Sequence, residues 1–159
     1  MKRVQQWIDE LGLKPHPEGG YYRQIERSEE TYSTSSKKLP LYTSIYFLLT
    51  EDSPSHFHRL SSDEIWFYHA GNPLTVHSLQ PDGSYSQTIL GLDGQLQYTV
   101  PAGTIFGSSV EEGYALVSCT VIPGFDFSEF TLFTKNDLLN RYPEYEDIIR
   151  KLAYDTLPE

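Results

Sequence analysis

Apolar positions follow a helical period only near the two ends of the chain. Four of them near the start are spaced i, i+3, i+4, i+7: Val4, Trp7, Ile8 and Leu11. This spacing predicts an amphipathic helix over residues 2–12 that ends at Gly12. A second set lies near the end: Tyr145, Ile148, Ile149 and Leu152. It predicts a helix over residues 144–153 with Pro143 as its first residue, preceded by a shorter helix over residues 138–142 that Asn136 or Asp137 caps.

Between these ends, apolar residues fall in short runs of the β type, each closed by a turn signal. Strands are predicted at residues 21–27, 42–50, 55–60, 64–70, 74–80, 85–90, 96–100, 104–110, 114–122 and 130–133. Residues 28–38, rich in Ser, Thr, Glu and Lys, predict an exposed loop. Many short strands at regular spacing, with no internal repeat and no linker, indicate a single all-β sandwich or small barrel rather than βαβ units.

Composition and charge argue against several classes of function. Twelve Lys and Arg residues against 22 Asp and Glu residues give a net charge of −10. This charge repels phosphate backbones and anionic lipid surfaces, so we expect neither a nucleic acid nor a membrane partner. The single cysteine, Cys119, excludes an internal disulfide and indicates a reducing, cytoplasmic compartment. No apolar run approaches a spanning helix, no signal peptide is evident, and no nucleophile motif, phosphate-binding Gly loop or dinucleotide fingerprint occurs.

The candidate chemistry is concentrated in residues 55–71, SHFHRLSSDEIWFYHAG. Residues two apart on a strand face the same side, so His56 and His58 are expected to converge on one face. A hairpin turn at residues 61–63 returns the chain, which allows Glu64 to lie alongside them. Two imidazoles and one carboxylate suit Fe, Mn, Ni, Co or Zn with positions left for substrate or water. The alternative is that one His is a surface residue and the other a wall residue, and the spacing alone leaves both open.

Four motifs, in this order, resemble a known family. They are PHPEGGYYR (15–23), SHFHRLSSDEIWFYHAG (55–71), VPAGTIFG (100–107) and CTVIPGFDFSEF (119–130). The second and third resemble the two motifs of the cupin superfamily, and the set of four is similar to its small-cupin family called domain of unknown function 985 (Cupin_5-like). The resemblance implies an RmlC-like double-stranded β-helix, or jelly roll, with short terminal helices, commonly as a homodimer. We therefore expect one domain over residues 1–159, with a barrel core at about 20–134 and a helical tail at 136–154.

The resemblance also implies a set of metal ligands. Glu64 is preferred over Asp63 because it keeps the six-residue distance to Gly71. The third His of the superfamily pattern would fall three positions after Gly103, where this chain has Phe106, and a phenyl ring cannot ligate a metal. The implied ligands are His56, His58 and Glu64. We expect one divalent transition metal at this depleted site, or none.

Five further side chains are candidate ligand contacts: His16, Glu18, Arg23, Trp66 and Phe106. His16 and Glu18 lie in a segment whose prolines and glycines restrict and tighten the backbone. Arg23 could pair with a ligand carboxylate or phosphate, or with an acidic neighbour such as Glu18 or Glu26. Trp66 and Tyr68 share the face of Glu64 and either form the floor of a pocket or fill the barrel interior.

Two functions remain open on these residues. One is an enzyme for a small polar, sugar-like or planar ligand in the barrel, either metal-assisted or a metal-free isomerase or epimerase with His58 as base and Tyr68 as acid. The acid–base version follows from the resemblance to sugar-nucleotide epimerase cupins. The alternative is a non-catalytic cupin that senses or stores a small molecule, which Phe106 favours.

Overall fold

Two antiparallel sheets enclose the main hydrophobic core in this computed structural model, which describes residues 1–159. The first sheet contains, in spatial order, β1 (Lys14–Pro15), β2 (Tyr21–Arg27), β5 (Thr43–Thr50), β12 (Tyr114–Ile122), β7 (Asp63–Gly71) and β10 (Gln97–Val100). The second contains β13 (Phe130–Leu132), β6 (Ser55–Leu60), β11 (Ile105–Val110), β8 (Leu74–Leu79) and β9 (Tyr85–Leu90). Because the chain crosses repeatedly between the sheets, the strand order is that of a jelly roll. The predicted fold class is confirmed.

The interior of the barrel is aromatic and aliphatic, and both sheets contribute to it. Phe47, Trp66 and Val117 come from the first sheet, whereas Val76 and Phe106 come from the second, and each is at most 1% exposed. Strand alternation places these side chains on the inner faces. The core therefore lies between the sheets, which leaves their outer faces to be covered by the ends of the chain.

The terminal helices cover those outer faces. Helix α1 (Val4–Leu11) packs Trp7 and Ile8 around Leu48 and Leu116 of the first sheet, and Gly12 ends it in the left-handed conformation with φ of 65°. On the second sheet, α2 (Lys135–Arg141) and α3 (Glu146–Leu152) form one cluster with β6, β8 and β11. The predicted helix at each end is confirmed. None of the helices combines the length and the hydropathy of a membrane span.

The cap of α2 differs from the prediction. Thr134, rather than Asn136 or Asp137, is the N-cap, and its Oγ1 accepts a hydrogen bond of 3.2 Å from the Asp137 N–H. The Asp137 carboxylate in turn accepts a bond of 3.0 Å from the Thr134 N–H. The sequence Thr-Lys-Asn-Asp is thus a reciprocal capping box, so the helix begins earlier than its apolar pattern indicates.

The prediction of an exposed loop at residues 28–38 is confirmed for the exposure of the segment and wrong for its secondary structure. The segment contains most of a separate hairpin, in which β3 (Thr31–Ser33) pairs with β4 (Lys38–Pro40). Tyr32, opposite Leu39, supplies β-forming side-chain volume within an otherwise polar segment. A short polar hairpin carries little apolar alternation, which explains why the hydrophobic pattern did not reveal it.

Candidate functional site

A cavity of about 330 Å³ opens where several strands of the first sheet begin or end. Its polar wall includes His16, Glu18 and Glu64, and Cys119 of β12 lies beside them. All four side chains are buried, with residual exposures of 9% or less. Buried titratable groups around a cavity are the usual mark of a binding or catalytic site, and the role of each group depends on its own contacts.

The first motif forms a tight segment that brings His16 and Glu18 to this cavity. The His16 N–H donates to the Gly20 carbonyl at 3.0 Å, and the Gly19 N–H donates to the His16 carbonyl at 2.9 Å. Gly19 lies at φ of 105°, and a Cβ at that position would be 1.9 Å from the Pro54 carbonyl oxygen. Glycine is therefore required by both conformation and space, because the segment lies directly against the start of β6.

Glu18 is the centre of the buried polar network. Its Oε2 accepts a short hydrogen bond from the Ser55 hydroxyl and lies 3.1 Å from His58 Nδ1, while its Oε1 lies 3.4 Å from His16 Nδ1. Burial raises the pKa of Glu18 from 4.5 to about 8, against the opposing effect of the Ser55 hydrogen bond. The carboxyl group is therefore mostly protonated at neutral pH and can give up a proton.

The hydrogen bonds determine which ring nitrogen of each His carries the proton. His16 Nδ1 accepts from the Glu18 backbone N–H at 3.1 Å, so its proton is on Nε2. His58 Nδ1 faces the His56 carbonyl at 2.7 Å, so it is the donor and Nε2 carries the lone pair. Burial, with a smaller contribution from the charge of His58, lowers the pKa of His16 to about 3. Burial also lowers the pKa of His58, so the contacts with Glu18 join neutral groups and are not ion pairs.

Glu64 provides a second carboxyl group from a different element, the start of β7. Burial, and then the charge of Glu18, raise its pKa to about 7, whereas His58, Cys119 and Trp66 act in the opposite direction. Burial and the neighbouring carboxylates raise the pKa of the Cys119 thiol well above its ordinary value, so the thiol stays protonated. The cluster therefore holds one carboxyl group poised near neutrality and a second that retains its proton.

The structure separates His56 from His58, contrary to the expected convergence. His58 pairs with Phe106 and Ser55 pairs with Ser108, so β6 has one more residue than β11 between these pairs. This β-bulge interrupts the alternation of the strand. The His56 ring stacks on Tyr154 at 3.8 Å, whereas the His58 ring contacts Phe106 at 4.3 Å.

His56 has a structural role in the site. Its backbone N–H and its Nδ1 lie 2.6 Å and 2.8 Å from the Glu18 carbonyl oxygen, which can only accept. Tyr154 stacks on the ring, and the Tyr154 hydroxyl donates to the Pro17 carbonyl at 3.1 Å. His56 and Tyr154 together hold the segment that carries Glu18.

Tyr68 is not brought to His58. It extends along the inner face of β7 towards the opposite end of the strand, where its hydroxyl donates to the Gly71 carbonyl at 2.6 Å. The Tyr68 side chain does not line the cavity, and the Tyr114 hydroxyl contributes to raising its pKa after burial. The structure thus does not bring together the predicted acid–base pair of His58 and Tyr68: the carboxyl group beside His58 is that of Glu18, whose Oε2 lies 3.1 Å from His58 Nδ1.

Three other predicted ligand contacts also lie outside the cavity lining. Arg23 is exposed on the outer face of β2, where its Nη1 donates to the Leu11 carbonyl at 3.2 Å, and it pairs with no carboxylate. Trp66 and Phe106 are fully buried with ring centroids 6.1 Å apart, and they close the interior behind His58. Of the predicted contacts, His16 and Glu18 line the cavity together with the predicted ligand Glu64.

The sequence indicates only part of the mouth of the cavity: the run of residues 123–127 predicts aromatic side chains that close one mouth of the barrel. The lining of the cavity includes Lys14, Arg27 and the aromatic side chains of Tyr22, Phe125 and Phe127. The fourth motif contained the signal for the last two, since its Phe-Asp-Phe places aromatics around an exposed turn. Arg27 carried no such signal, because its orientation depends on a β-bulge in β2, which is separate from the bulge in β6.

Comparison with known proteins now assigns the chain to a family. A sequence model of the family described as Cupin superfamily (DUF985) matches residues 5–133. The chain belongs to this cupin family. An uncharacterized protein of Saccharomyces cerevisiae is 32% identical over 158 residues, which cover 86% of this chain and 78% of that protein.

Solved structures agree with that assignment. A hypothetical protein from Leishmania major has 43% identity and a TM-score of 0.91, over 96% of this chain and 99% of that chain. A protein from Shewanella oneidensis has 42% identity and a TM-score of 0.93, over 98% of this chain and 100% of that chain. Oxalate decarboxylase of Bacillus subtilis, at 15% identity and a TM-score of 0.57, over 92% of this chain and 40% of that chain, shows the cupin fold alone.

The residues present do not fit the metal site that cupin motifs imply. His56 is turned onto Tyr154, Phe106 stands where a further His would be, and the Glu18 carboxyl group is already engaged by Ser55. No group of three or more His, Cys, Asp and Glu side chains converges with metal-ligating geometry anywhere in the chain. The predicted set of His56, His58 and Glu64 is thus not assembled as a metal centre in this structure.

Proposed function

We propose that this cupin is a metal-independent acid–base enzyme of the isomerase or epimerase type, in which Glu64 removes a proton from a small ligand and Glu18 supplies one. The observation that carries the proposal is the convergence of two buried carboxyl groups on one cavity from separate elements, the start of β7 and the segment before β2. Both groups border the space where a ligand would sit, so each can reach the same molecule.

The surroundings suit the two groups to different roles. The pKa of Glu64, about 7, is near the value at which a general base combines a useful ionised fraction with useful basicity. The pKa of Glu18, about 8, keeps that group protonated as a donor. Pairs of carboxyl groups whose environments separate their pKa values commonly divide acid and base roles in this way.

His58 and His16 position Glu18 and do not themselves transfer the proton. His58 does not line the cavity, and its Nδ1 faces Glu18 and the His56 carbonyl. His16 lies among aromatic rings, with centroids 4.6 Å from Tyr22 and 5.9 Å from Phe130, and its low pKa makes it a poor base at neutral pH. Both rings restrict the rotamers of Glu18, which holds its carboxyl group at the wall of the cavity.

Solvent deuterium exchange over a panel of candidate substrates tests this proposal. The full chain is incubated in D₂O with aldoses, sugar phosphates, 2-hydroxy acids and 2-oxo acids, and loss of each C–H signal next to a carbonyl is followed by ¹H NMR. We expect exchange in at least one compound, and at least a 100-fold loss in Glu64→Gln and Glu18→Gln, since acid–base groups contribute about 10²–10⁴ in rate.

Glu26→Gln is the matched control, because Glu26 is an exposed carboxylate on β2 that does not line the cavity. Unchanged exchange in Glu64→Gln would contradict the assigned base. If compounds bind in the cavity but none exchanges, the non-catalytic binding function replaces the enzymatic one.

A further inference from the structure

Two cationic side chains at the mouth of the cavity lack acidic partners. Lys14 of β1 and Arg27 of β2 both line it, and neither has a carboxylate oxygen within 4.0 Å among the ion pairs of the chain. Lys14 Nζ instead lies 5.5 Å from the centroid of the Tyr22 ring. In a chain with a net charge of −10, two cations beside one cavity with no carboxylate within 4.0 Å are a local reversal of sign.

A β-bulge is the reason that Arg27 reaches the cavity. Gln24 pairs with Ile45 and Glu26 pairs with Ser44, so β2 has one residue more than β5 between these pairs. Without this extra residue, strand alternation would place Glu26 on the face of Tyr22 and Gln24. With it, Arg27 lines the cavity in place of Glu26. The irregularity thus exchanges an acidic side chain for a guanidinium group at the mouth.

The carboxylate at the mouth, Asp126, offsets only part of this positive charge: the charge of Arg27 contributes to lowering the pKa of Asp126, after the hydrogen bonds from Ser128 and the charge of Lys37, but no Asp126 oxygen lies within 4.0 Å of Arg27. Asp126 lines the cavity, but its Oδ1 accepts from the Ser128 N–H at 2.9 Å and from the Ser128 hydroxyl at 2.6 Å. Those two bonds cap the turn that follows and direct the carboxylate to it. Deeper in the cavity, Glu18 is largely protonated because burial raises its pKa. The mouth is therefore the electropositive end of the cavity.

Resting on the proposed function, we infer that the ligand carries an anionic group, a carboxylate or a phosphate, that binds Lys14 and Arg27 at the mouth. The remainder of the ligand then extends inward past Phe125 and Phe127 towards Glu64. An arginine presents a planar fork that matches either oxyanion, and lysine adds a second point charge. The substrate class of the cavity is thus a small organic anion, and the predicted anion contact moves from Arg23 to Arg27.

Titration of the full-length ¹⁵N-labelled protein with three matched aromatic probes tests this inference by NMR. The probes are benzoate, phenyl phosphate and the neutral benzamide. We expect benzoate or phenyl phosphate to bind at least 10-fold more tightly than benzamide, with shifts at residues 14, 27 and 127, and the stronger of the two identifies the oxyanion. Arg27→Ala and Lys14→Ala should each weaken anion binding about 10-fold, in line with one charge-assisted hydrogen bond.

Arg23→Ala is the matched control, since it removes an arginine from the opposite face of the same strand. Equal binding of all three probes, or equal weakening by Arg23→Ala and Arg27→Ala, would overturn the inference. The test is separable from the proposed function because it measures binding alone. Anion binding without deuterium exchange would support the anion site at the mouth and reject proton transfer. Exchange confined to neutral compounds would support proton transfer and reject the anion site.

Discussion

At the scale of single residues, the most consequential feature is a pair of carboxyl groups that the fold keeps away from water. Glu18 and Glu64 are 6% and 7% exposed, and no lysine or arginine is paired with either of them. Burial without a cation favours the protonated form of a carboxyl group. The protein thus accepts a cost in stability at the cavity, as expected where function needs a perturbed group.

This cost predicts an unusual dependence of stability on pH. In the unfolded chain the carboxyl groups have their ordinary pKa of 4.5. In the folded chain the pKa is about 7 for Glu64 and about 8 for Glu18. The folded state therefore binds more protons above pH 4.5, and the free energy of unfolding falls as pH rises. Each extra proton contributes about 1.4 kcal/mol per pH unit while only the folded state holds it.

The histidines lower the free energy of unfolding on the acidic side of its pH optimum. Burial lowers the pKa of His16 to about 3 and that of His77 to about 4, so below pH 6.5 the unfolded chain binds protons that the folded chain does not. Stability should be greatest between about pH 4.5 and 6.5 and should decline from pH 6.5 to 8. Urea unfolding at each pH measures this, and Glu18→Gln should flatten the decline. A free energy that is constant or rises over that interval would show that the carboxyl groups are already ionised.

The residue scale also shows what sequence reasoning reached. His16, Glu18 and Glu64 were identified because a constrained segment and a carboxylate in an aromatic run are local signals. Arg27 was missed and Arg23 was proposed in its place, because the two differ only in which side of one strand they face. That choice is made by the pairing of β2 with β5, and no property of either arginine reports it.

At the scale of elements, the site depends on irregularities in otherwise regular strands. The bulge in β6 turns His56 away from His58, and the bulge in β2 turns Arg27 inward. The strand positions themselves were predictable from apolar runs, and the strands at Ser55–Leu60 and Tyr114–Ile122 agree with prediction to the residue. The two bulges were not predictable from apolar runs, because each arises from pairing with a strand distant in sequence.

The segment before β2 offers a direct test of how tightly the site is held. In Gly19→Ala, the new Cβ would meet the Pro54 carbonyl at 1.9 Å, and φ of 105° adds strain. We expect a loss of about 2–4 kcal/mol in the free energy of unfolding, together with loss of deuterium exchange because Glu18 is displaced.

Gly83→Ala separates the backbone strain of an alanine at positive φ from the steric contact with Pro54. Gly83 has a similar φ of 90°, but a Cβ there would meet nothing within 4 Å. It should cost only about 1 kcal/mol, the part that comes from backbone strain, and leave exchange intact. Urea unfolding curves of both variants provide the comparison. Equal losses would mean that the contact with Pro54 does not constrain the segment.

At the scale of the whole molecule, the double-sheet architecture is common to this chain, to its relatives and to more distant cupins. The fold was predicted because four motifs span most of the barrel and because short strands at regular spacing restrict the choice of architecture. The state of the metal site was not predictable in the same way, because it depends on the orientations of His56 and His58 in three dimensions.

These orientations predict a low metal content. Protein purified without chelator and without a histidine tag should contain less than about a tenth of an equivalent of Fe, Mn, Ni, Co or Zn by elemental analysis, since formed structural sites bind such ions tightly. Exchange activity should survive dialysis against EDTA. One equivalent of any of these ions that leaves together with activity would show that the side chains rearrange around a metal, and the acid–base proposal would then be wrong.

The hydrogen bond from Tyr154 to Pro17 joins positions 137 residues apart, and it has a consequence for the order in which the protein is made. Contacts of such separation carry the largest loop-closure entropy and form late in folding. During synthesis, the sheet strands leave the ribosome well before Tyr154 does, so a nascent barrel lacks the ring that stacks on His56. The segment bearing Glu18 is therefore fully secured only after Tyr154 has been translated, which is later than the strands of both sheets.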